Sequence, residues 1–339
     1  MARTWTMPEP RLDAPPLRWA IAGPGEIAAD FAATLARNTR QRVVAVGSRS
    51  PQRAARFADA FNAPLHGGYD ILARPEVDVV YVAAVNPSHA DLALRAIEAG
   101  KHVLVEKPFA MNAAEARFVA DAARSAGVLA MEAMWTRYVP TYRELDRRLR
   151  AGEIGEISLA SSSVGWGVPV GSSSRITSPE LGGGVTLDMG VYALWFAQWA
   201  AGRAERVLAT GRMRGAVDEE IVVAIDAAGG RRASVTSTIV GTTSGHGEIV
   251  GSLGRVTMAG HVVFPTGFDL TVGHRSEQWR DAGLLSGREG LAWQAAALAG
   301  YADAGLTESP LHSLDDTVAL AKTMDAVLAQ VRESAASVS

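Results

Sequence analysis

The first part of the chain alternates short apolar runs with longer segments of helical periodicity. The predicted strands are Leu17–Ala22, Arg42–Gly47, Val79–Ala84, Val103–Val105 and Val128–Ala133. The predicted helices are Glu26–Asn38, Pro51–Phe61, Ser88–Ala99 and Ala113–Ala126, with Ser88 as the N-cap of the third. Strands that alternate with helices of this length are typical of βαβ units, so we predict an α/β domain with a doubly wound parallel sheet.

Beyond a helix predicted over Thr141–Ala151, the pattern changes to strands that alternate with turns. Between Ile157 and Phe264, strand-like runs are separated by turns. The runs Glu220–Ile225 and Arg232–Val240 flank a glycine-containing turn, which predicts a hairpin. We therefore expect an α+β second domain with a large, mainly antiparallel sheet.

Two helices complete the second half. The helix Leu187–Ala201 interrupts the strands, and a late helix starts at Ser313, where Ser313 and Asp316 have the spacing of a capping box. The predicted divisions are a flexible tail over 1–16, the α/β domain over 17–139 and the α+β domain over 140–339, whose C-terminal helix 313–333 is expected to pack back toward the α/β domain.

Composition narrows the possible functions. The 339 residues carry a formal net charge of −3, which argues against a dedicated binder of nucleic acid or of an anionic membrane surface. The absence of cysteine excludes disulfides and thiolate chemistry and leads us to expect a cytoplasmic protein. No apolar run approaches the ~18 residues of a membrane span, and the histidines lack a metal-binding spacing, so we predict no membrane span and no metal site.

A glycine-rich turn lies between the first strand and the first helix. Gly23 and Gly25 allow a tight turn with close backbone approach, and Ala28 takes the third position of a G-x-G-x-x-G/A pattern. The start of the helix, at Glu26 and Ile27, offers N–H groups and a positive dipole end to a pyrophosphate. In this strand–turn–helix context, the motif predicts a dinucleotide-binding site.

The end of the second strand favours NADP over NAD. An NAD site usually places an acid here to bind the ribose 2′-OH, but this chain has Ser48, Arg49 and Ser50. Arg53 follows one helical turn on, and no carboxylate occurs before Asp59. Because a guanidinium pairs well with a phosphate, we predict NADP as the cofactor, with NAD left open. The alternative is a solvated arginine on a loop.

Two further strand ends carry polar residues. Asn86 follows the third long strand and is a candidate cofactor contact, whereas His89 lies in the first turn of the next helix and either contacts the cofactor or packs. Glu106 and Lys107 follow Val103–Val105 and precede a proline. Ligands of open α/β sheets bind outside the carboxyl ends of the strands, so both are candidate cofactor contacts. The alternative is an ordinary surface lysine at a strand end.

A second glycine-rich segment, Gly182–Gly184, precedes the helix over Leu187–Ala201, and its backbone can fold tightly beside a ligand. Asp188 and Tyr192 are four residues apart, hence on one helix face. Tyrosine has a free pKa near ~10, and a nearby ammonium, such as that of Lys107, would lower this pKa and make the phenol a proton acceptor. The alternative is an aspartate near a helix start beside a buried tyrosine.

Taken together, these segments resemble the glucose–fructose oxidoreductase / inositol dehydrogenase family, often called Gfo/Idh/MocA. The resemblance rests on Gly23–Ala28, on Glu106-Lys107-Pro108 and on Asp188 with Tyr192, and it covers nearly the whole chain. Most members carry histidine where this chain has Tyr192. The tyrosine and the segment Met131–Tyr138 are similar to the branch that contains dimeric dihydrodiol dehydrogenase and NADP-dependent D-xylose dehydrogenase.

The resemblance implies a Rossmann domain followed by an open-faced antiparallel sheet, whose open face often forms the contacts of a homodimer or homotetramer. It implies that Lys107 is catalytic and that Asp188 and Tyr192 line the substrate pocket. It also implies that Trp135 and Arg137 lie near the cofactor.

The predicted reaction is hydride transfer between a nicotinamide and a sugar or related cyclic polyol, of the aldose 1-dehydrogenase or sugar ketoreductase type. Tyr192 would take the hydroxyl proton, Lys107 would hold the developing oxyanion, and Asp188 would orient a neighbouring hydroxyl. A trans-dihydrodiol dehydrogenase is the alternative among enzymes. A non-catalytic NADP-binding sensor or regulator is the alternative of another class.

The segment around 164–176 is expected to set the identity of this small, carbohydrate-like substrate. Trp166 is a candidate for stacking on a sugar face, although a packing role fits a tryptophan equally well. The run of Ser172, Ser173 and Ser174 does not predict which substrate binds. The sequence also leaves open whether the bond before Pro108 is cis, which an X–Pro bond can be.

Overall fold

The computed structural model describes residues 9–169, 174–283 and 285–337, so the predicted tail lies partly outside the described residues. The chain divides into two compact units. The first unit holds the described residues up to Phe109, then Ala114–Val139 and Leu285–Thr317. The second holds Ala110–Ala113, the described residues of 140–284 and the described residues of 318–339. Within the described residues, no helix combines the length and apolar character needed to cross a bilayer.

A six-stranded sheet forms the centre of the first unit. Its strands are β1 Arg18–Ala22, β2 Arg42–Gly47, β3 Leu65–Gly67, β4 Val79–Val82, β5 His102–Val105 and β6 Ala130–Glu132. Their order is β3-β2-β1-β4-β5-β6, and all neighbours are parallel. Every residue of β4 is buried, as expected for a parallel sheet covered on both faces. The predicted Rossmann-type sheet is confirmed.

The helices largely follow the predicted positions. They are α1 Glu26–Asn38, α2 Pro51–Phe61, α3 His89–Glu98, α4 Ala113–Ala126, α5 Pro140–Arg150, α6 Val191–Ala201, α7 Leu291–Asp303 and α8 Leu314–Ala336. The capping box before α8 is present, since the Ser313 hydroxyl donates to Asp316 at 2.7 Å and accepts its N–H at 3.1 Å. The cap predicted for α3 is wrong, because Ser88 closes a 3-10 turn with near-helical dihedral angles and its side chain makes no capping bond.

Helix α7 was missed by the sequence analysis. It is apolar on nearly every side, with Leu291, Leu298 and Tyr301 all fully buried. A helix that is buried all round has no polar face, so it lacks the periodic pattern by which an amphipathic helix is recognised.

The second unit is built on an eight-stranded sheet. Its strands are β7 Ile157–Gly165, β8 Ala204–Arg214, β9 Val217–Ala227, β10 Arg231–Thr238, β11 Gly247–Gly251, β12 Gly254–His261, β13 Phe264–Val272 and β14 Arg275–Arg280. Their order is β14-β13-β12-β11-β7-β10-β9-β8, and all pairs are antiparallel except β7 with β10. The hairpin β9–β10 turns through Gly229, whose φ is +76°. The predicted, mainly antiparallel α+β architecture is confirmed.

Candidate functional site

The glycine turn after β1 has the geometry that a pyrophosphate requires. Gly23 has a φ of +98°, and a Cβ there would lie 2.7 Å from Ala84 Cα, so glycine alone fits. Its N–H donates to Gly47 O at 3.0 Å, which ties the turn to the end of β2. Gly25, which has no side chain to cap with, is the N-cap of α1. The first N–H groups of α1 therefore suit a phosphate ligand.

The two residues that open α1 behave differently. The Glu26 side chain is 91% exposed and its carboxylate lies 4.0 Å from the Arg288 guanidinium. Ile27 is half-buried. Both residues belong to the turn of helix whose N–H groups face the carboxyl end of the sheet, so their backbone rather than their side chains is the predicted cofactor contact.

The end of β2 carries positive charge close to the glycine turn. Arg49 is exposed there, and Arg53 Nη2 donates to Pro24 O at 3.1 Å, which places its guanidinium against the glycine turn. Ser48 is buried and its Oγ accepts the N–H of Ser50 at 3.2 Å. Ser50 in turn caps α2 through the N–H of Arg53. Two guanidinium groups and two hydroxyls fit a 2′-phosphate on the ribose.

His89 joins the turn after β4 to the turn after β5. The ring is 1% exposed, with Nδ1 2.8 Å from Pro108 O and Nε2 3.1 Å from Ala84 O. Asn86 is also buried, in the 3-10 turn that precedes α3. His89 thus packs against backbone carbonyls, and a direct contact of either side chain with the cofactor stays a prediction.

Lys107 stands in a turn that several buried groups hold. The Lys107–Pro108 bond is cis, and the lysine side chain is half-buried. Glu106 is buried, and its Oε1 accepts the Tyr81 hydroxyl at 2.5 Å. The next backbone donor, Phe109 N–H, is bound by Glu132 Oε1 at 3.1 Å. The ammonium therefore extends from a fixed backbone at the carboxyl end of β5.

The turn after β6 holds Trp135 and Arg137. Trp135 is 5% exposed and packs so closely on Gly290 that a Cβ there would lie 2.7 Å from the indole. Arg137 is 2% exposed, and its Nε donates to Leu311 O at 3.0 Å. Arg137 is thus bound to the backbone before α8, and its predicted nearness to the cofactor stays a prediction.

In the second unit, a buried carboxylate closes the second glycine turn. Gly184 has a φ of +113°, and a Cβ there would lie 2.1 Å from Asp218 Oδ1. Asp218 Oδ2 accepts the N–H of Thr186 at 2.8 Å and its hydroxyl at 2.6 Å. Burial raises the pKa of Asp218, and the two bonds from Thr186 oppose that rise.

The sequence analysis expected Asp188 and Tyr192 to share one regular α-helix, and this expectation is wrong. Thr186–Gly190 is a π-helical turn, and α6 begins only after it. The periodicity of apolar residues does not register the wider turn, so the helix was predicted too long. Asp188 lies on the π-helical turn, and Tyr192, which is 7% exposed, lies in the first turn of α6.

Arg175 forms an ion pair with Asp188 Oδ1. Arg175 lies in the segment predicted to set the substrate, but no local pattern pairs it with Asp188. In the same segment, Trp166 stacks on His261 at a centroid distance of 5.0 Å, and burial lowers the pKa of His261. Ser172 and Ser173 lie outside the described residues. In the described parts of the chain, no group of three or more His, Asp or Glu side chains could hold a metal ion.

Two family models match the chain. One, for an oxidoreductase family with an NAD-binding Rossmann fold, matches residues 17–134. The other, the GFO/IDH/MocA C-terminal domain, matches residues 142–257. The chain belongs to the Gfo/Idh/MocA family. This confirms the predicted resemblance and identifies the chain as a dehydrogenase or reductase that uses a nicotinamide dinucleotide, which favours an enzyme over a sensor.

Relatives of this Gfo/Idh/MocA protein span nearly its whole length. It is 34% identical over 328 residues to a trans-1,2-dihydrobenzene-1,2-diol dehydrogenase of Xenopus laevis, covering 93% of this chain and 98% of that protein. A 3-ketoreductase from Actinomadura kijaniata, crystallised with NADP and TDP-benzene, is 27% identical with a TM-score of 0.80 over 94% of this chain and 98% of that one. An aldose-aldose oxidoreductase from Caulobacter crescentus shares the fold, at 22% identity and a TM-score of 0.84 over 94% and 98%.

Sequence reasoning missed several side chains around these turns. They are Tyr81, Glu132, Arg175, Asp218 and His312. Glu132 falls inside the segment Met131–Tyr138 that carried part of the family resemblance, so a signal for it existed. Its partner His312 lies 180 residues away along the chain, and nothing in local periodicity could have joined the two.

Proposed function

We propose that this Gfo/Idh/MocA protein is an NADP(H)-dependent oxidoreductase that transfers a hydride between nicotinamide and a CH–OH group of a sugar or related cyclic polyol. The observation that carries the proposal is Lys107, a half-buried ammonium on a fixed turn at the carboxyl end of β5. This is the edge of the sheet at which the glycine turn after β1 also opens, and ligands of such sheets bind at this edge.

The basic end of β2 supports NADP as the cofactor. Arg49 and Arg53 supply charge for a 2′-phosphate, and Ser48 and Ser50 supply hydroxyls. An NAD-preferring site would present a carboxylate at this point. The 3-ketoreductase that resembles this chain was crystallised with NADP, which agrees with this choice.

The proposed roles of the side chains follow from their chemistry. When bound, the nicotinamide accepts or supplies the hydride. Tyr192 takes the proton of the reacting hydroxyl, and the Lys107 ammonium holds the oxygen on which negative charge develops. Asp188, oriented by Arg175, binds a neighbouring hydroxyl and fixes the ring. In the reducing direction, Tyr192 returns the proton.

A trans-dihydrodiol dehydrogenase is the second candidate. The observation in its favour is the 34% identity to proteins of that name across nearly the full length of both chains. A cyclic vicinal diol presents two adjacent hydroxyls, as a sugar does, so the same lysine, tyrosine and aspartate could serve it.

The exposed face of the second unit's sheet is the proposed contact of a homodimer or homotetramer. Leu208 on β8 and Val222 on β9 are 53% and 55% exposed, and both lie on the sheet face opposite the buried side chains. Apolar side chains that lie close together on an exposed sheet face are a candidate association surface. Val222→Asp should lower the mass measured by light scattering to that of a monomer.

A cytoplasmic location fits a chain without cysteine.

A substrate panel tests the proposed reaction. Initial rates of NADPH or NADH formation are measured with aldoses, inositols and trans-dihydrodiols, each with NADP⁺ and with NAD⁺. The proposal expects the highest kcat/KM for an aldose or cyclic polyol with NADP⁺. A highest value for a dihydrodiol would favour the second candidate. Tight binding of NADP without turnover of any compound, in either direction, would contradict both.

A further inference from the structure

We propose that Glu132, paired with His312, is a positioning residue for Lys107. In this proposal Glu132 fixes the peptide that follows Lys107–Pro108 and thereby fixes the direction in which the ammonium points. The proposal depends on the catalytic role proposed above for Lys107. Neither Glu132 nor His312 contacts the reacting atoms in this account, so neither is a catalytic residue.

The position of Glu132 follows from the parallel sheet. Glu132 is the last residue of β6, where it pairs with Val105, the last residue of β5. Ala133 N–H donates to Val105 O at 2.7 Å, so the two chains stay together past the ends of the strands. Glu132 therefore lies beside the end of β5, where the turn over residues 106–109 (the lysine turn) begins.

Glu132 and His89 hold opposite ends of one peptide group. Glu132 Oε1 accepts the N–H of Phe109 at 3.1 Å. His89 Nδ1 lies 2.8 Å from the carbonyl oxygen of Pro108, which belongs to the same peptide unit. Because Pro108 has no N–H, the N–H of Phe109 is the first backbone donor after Lys107. With both of its polar atoms bound, this peptide cannot rotate without breaking a buried hydrogen bond.

His312 completes the arrangement on the other oxygen. Its Nε2 lies 2.9 Å from Glu132 Oε2 and 3.3 Å from Thr317 Oγ1. The backbone N–H of His312 donates to Ser309 Oγ at 3.2 Å, and the same oxygen accepts a hydrogen bond from the Tyr138 hydroxyl at 3.0 Å. His312 is thus anchored before it reaches Glu132, and it prevents the carboxyl group from turning away from the lysine turn.

Burial explains why these groups are costly and points to a function. Glu132 is 1% exposed and His312 5% exposed. Buried ionisable groups are expensive unless paired, and apolar residues of similar size often stabilise a fold as well or better. An apolar residue at position 132 would leave the Phe109 N–H without its acceptor. Since a displacement of about 1 Å can cost about 10²-fold in rate, a precise hold on the turn after Lys107 outweighs that cost.

The test compares three variants of the full-length protein. Glu132→Ala removes the acceptor, and we expect kcat to fall by about 10²-fold while the Kd for NADPH stays near the wild-type value. Glu132→Gln keeps an amide oxygen for Phe109 N–H, and we expect it to recover most of the rate. Glu308→Gln is the matched control, because Glu308 binds Arg124 and the N–H of Leu314 in the same unit without touching the lysine turn. Its kcat should be unchanged.

Three outcomes would overturn the proposal. They are a wild-type kcat in Glu132→Ala, a Gln variant as slow as the Ala variant, and a Kd for NADPH that rises in step with the fall in kcat. If Glu132→Ala does not fold, His312→Ala serves instead, with kcat expected to fall while Kd is kept. Lys107→Met separates the two levels of the account. Full activity in Lys107→Met refutes the proposed function, whereas an inactive Lys107→Met beside a fully active Glu132→Ala refutes the positioning role alone.

Discussion

Each unit of this protein has a glycine turn that leads into a helical segment, and the two turns differ in the group that meets the first N–H groups of that segment. The turn Gly23–Gly25 leads into α1 with a glycine as N-cap. The turn Gly182–Gly184 leads into the helical segment at Thr186, whose N–H is bound by the buried Asp218. The N-cap of the first helix has no side chain that could cap it, whereas the second helical segment has a carboxylate that binds its N–H.

The difference shows that glycine alone does not make an anion site. Both turns contain a glycine with positive φ that no larger residue could replace, Gly23 because of Ala84 and Gly184 because of Asp218. What separates them is the group that meets the free N–H groups. In the second unit that group is the carboxylate of Asp218, which belongs to the chain itself. In the first it is, by our account, a pyrophosphate.

Gly23→Ala should break the first turn as a cofactor site. The new Cβ would lie 2.7 Å from the Ala84 backbone, which forces the turn away from the position that a pyrophosphate needs. We expect the Kd for NADPH, measured by calorimetry, to rise by at least about 10²-fold, as when one or two charge-assisted hydrogen bonds are lost. Gly100→Ala is the control, since Gly100 also has positive φ but a Cβ there meets nothing. Equal affinities in the two variants would refute the account of this turn.

Arg49→Asp should shift the cofactor preference and leave the turn itself intact. Loss of a charged hydrogen bond to the 2′-phosphate, worth about 1.5–3 kcal/mol, predicts a fall of about 10- to 100-fold in the ratio of kcat/KM for NADP⁺ over NAD⁺. Arg56→Asp changes the charge equally on the exposed surface of α2 and should leave the ratio unchanged. An unchanged ratio in Arg49→Asp would mean that Arg49 does not meet the phosphate.

Asp218→Ala should weaken the second turn. The N–H and hydroxyl of Thr186 would lose their acceptor, which costs about 1–3 kcal/mol of unfolding free energy for a buried donor. Denaturant unfolding followed by fluorescence measures this loss. A variant as stable as the wild type would show that Asp218 does not hold the turn.

Asp218→Asn isolates the charge. The folded-state pKa of Asp218 is raised by burial, so its contribution to stability is greatest below the unfolded-state pKa and is lost as the pH rises through the folded-state pKa. The amide keeps an acceptor and does not ionise. The unfolding free energy of the Asp218→Asn variant should therefore fall less than that of the wild type as the pH rises above about 4. An identical pH dependence in both proteins would refute this role of the charge.

The parts of the structure that the sequence predicted are those with local signals. The sheet of the first unit, the glycine turn and the capping box at Ser313 each depend on residues close together in the chain. The charge at the end of β2 was readable for the same reason, because Arg49 and Arg53 follow the strand directly.

The parts that were missed depend on partners far apart in sequence or on patterns without contrast. Glu132 meets His312 across 180 residues, and Asp218 reaches back 32 residues to Thr186. Helix α7 has no polar face to reveal it. The π-helical turn at Asp188 changes the geometry of a helix without changing its apolar pattern. Hydrogen bonds made by buried side chains are therefore the level at which the sequence alone was insufficient.

We propose that Lys107 acts in the hydride-transfer step, and Lys107→Met is the decisive variant. We expect kcat to fall by at least about 10³-fold, with the Kd for NADPH close to the wild-type value. Lys101→Met, at the opposite end of β5, should keep full activity. Because groups that act together are not additive, adding Tyr192→Phe to Lys107→Met should slow turnover little further. Turnover by Lys107→Met within a few-fold of the wild type would contradict the claim.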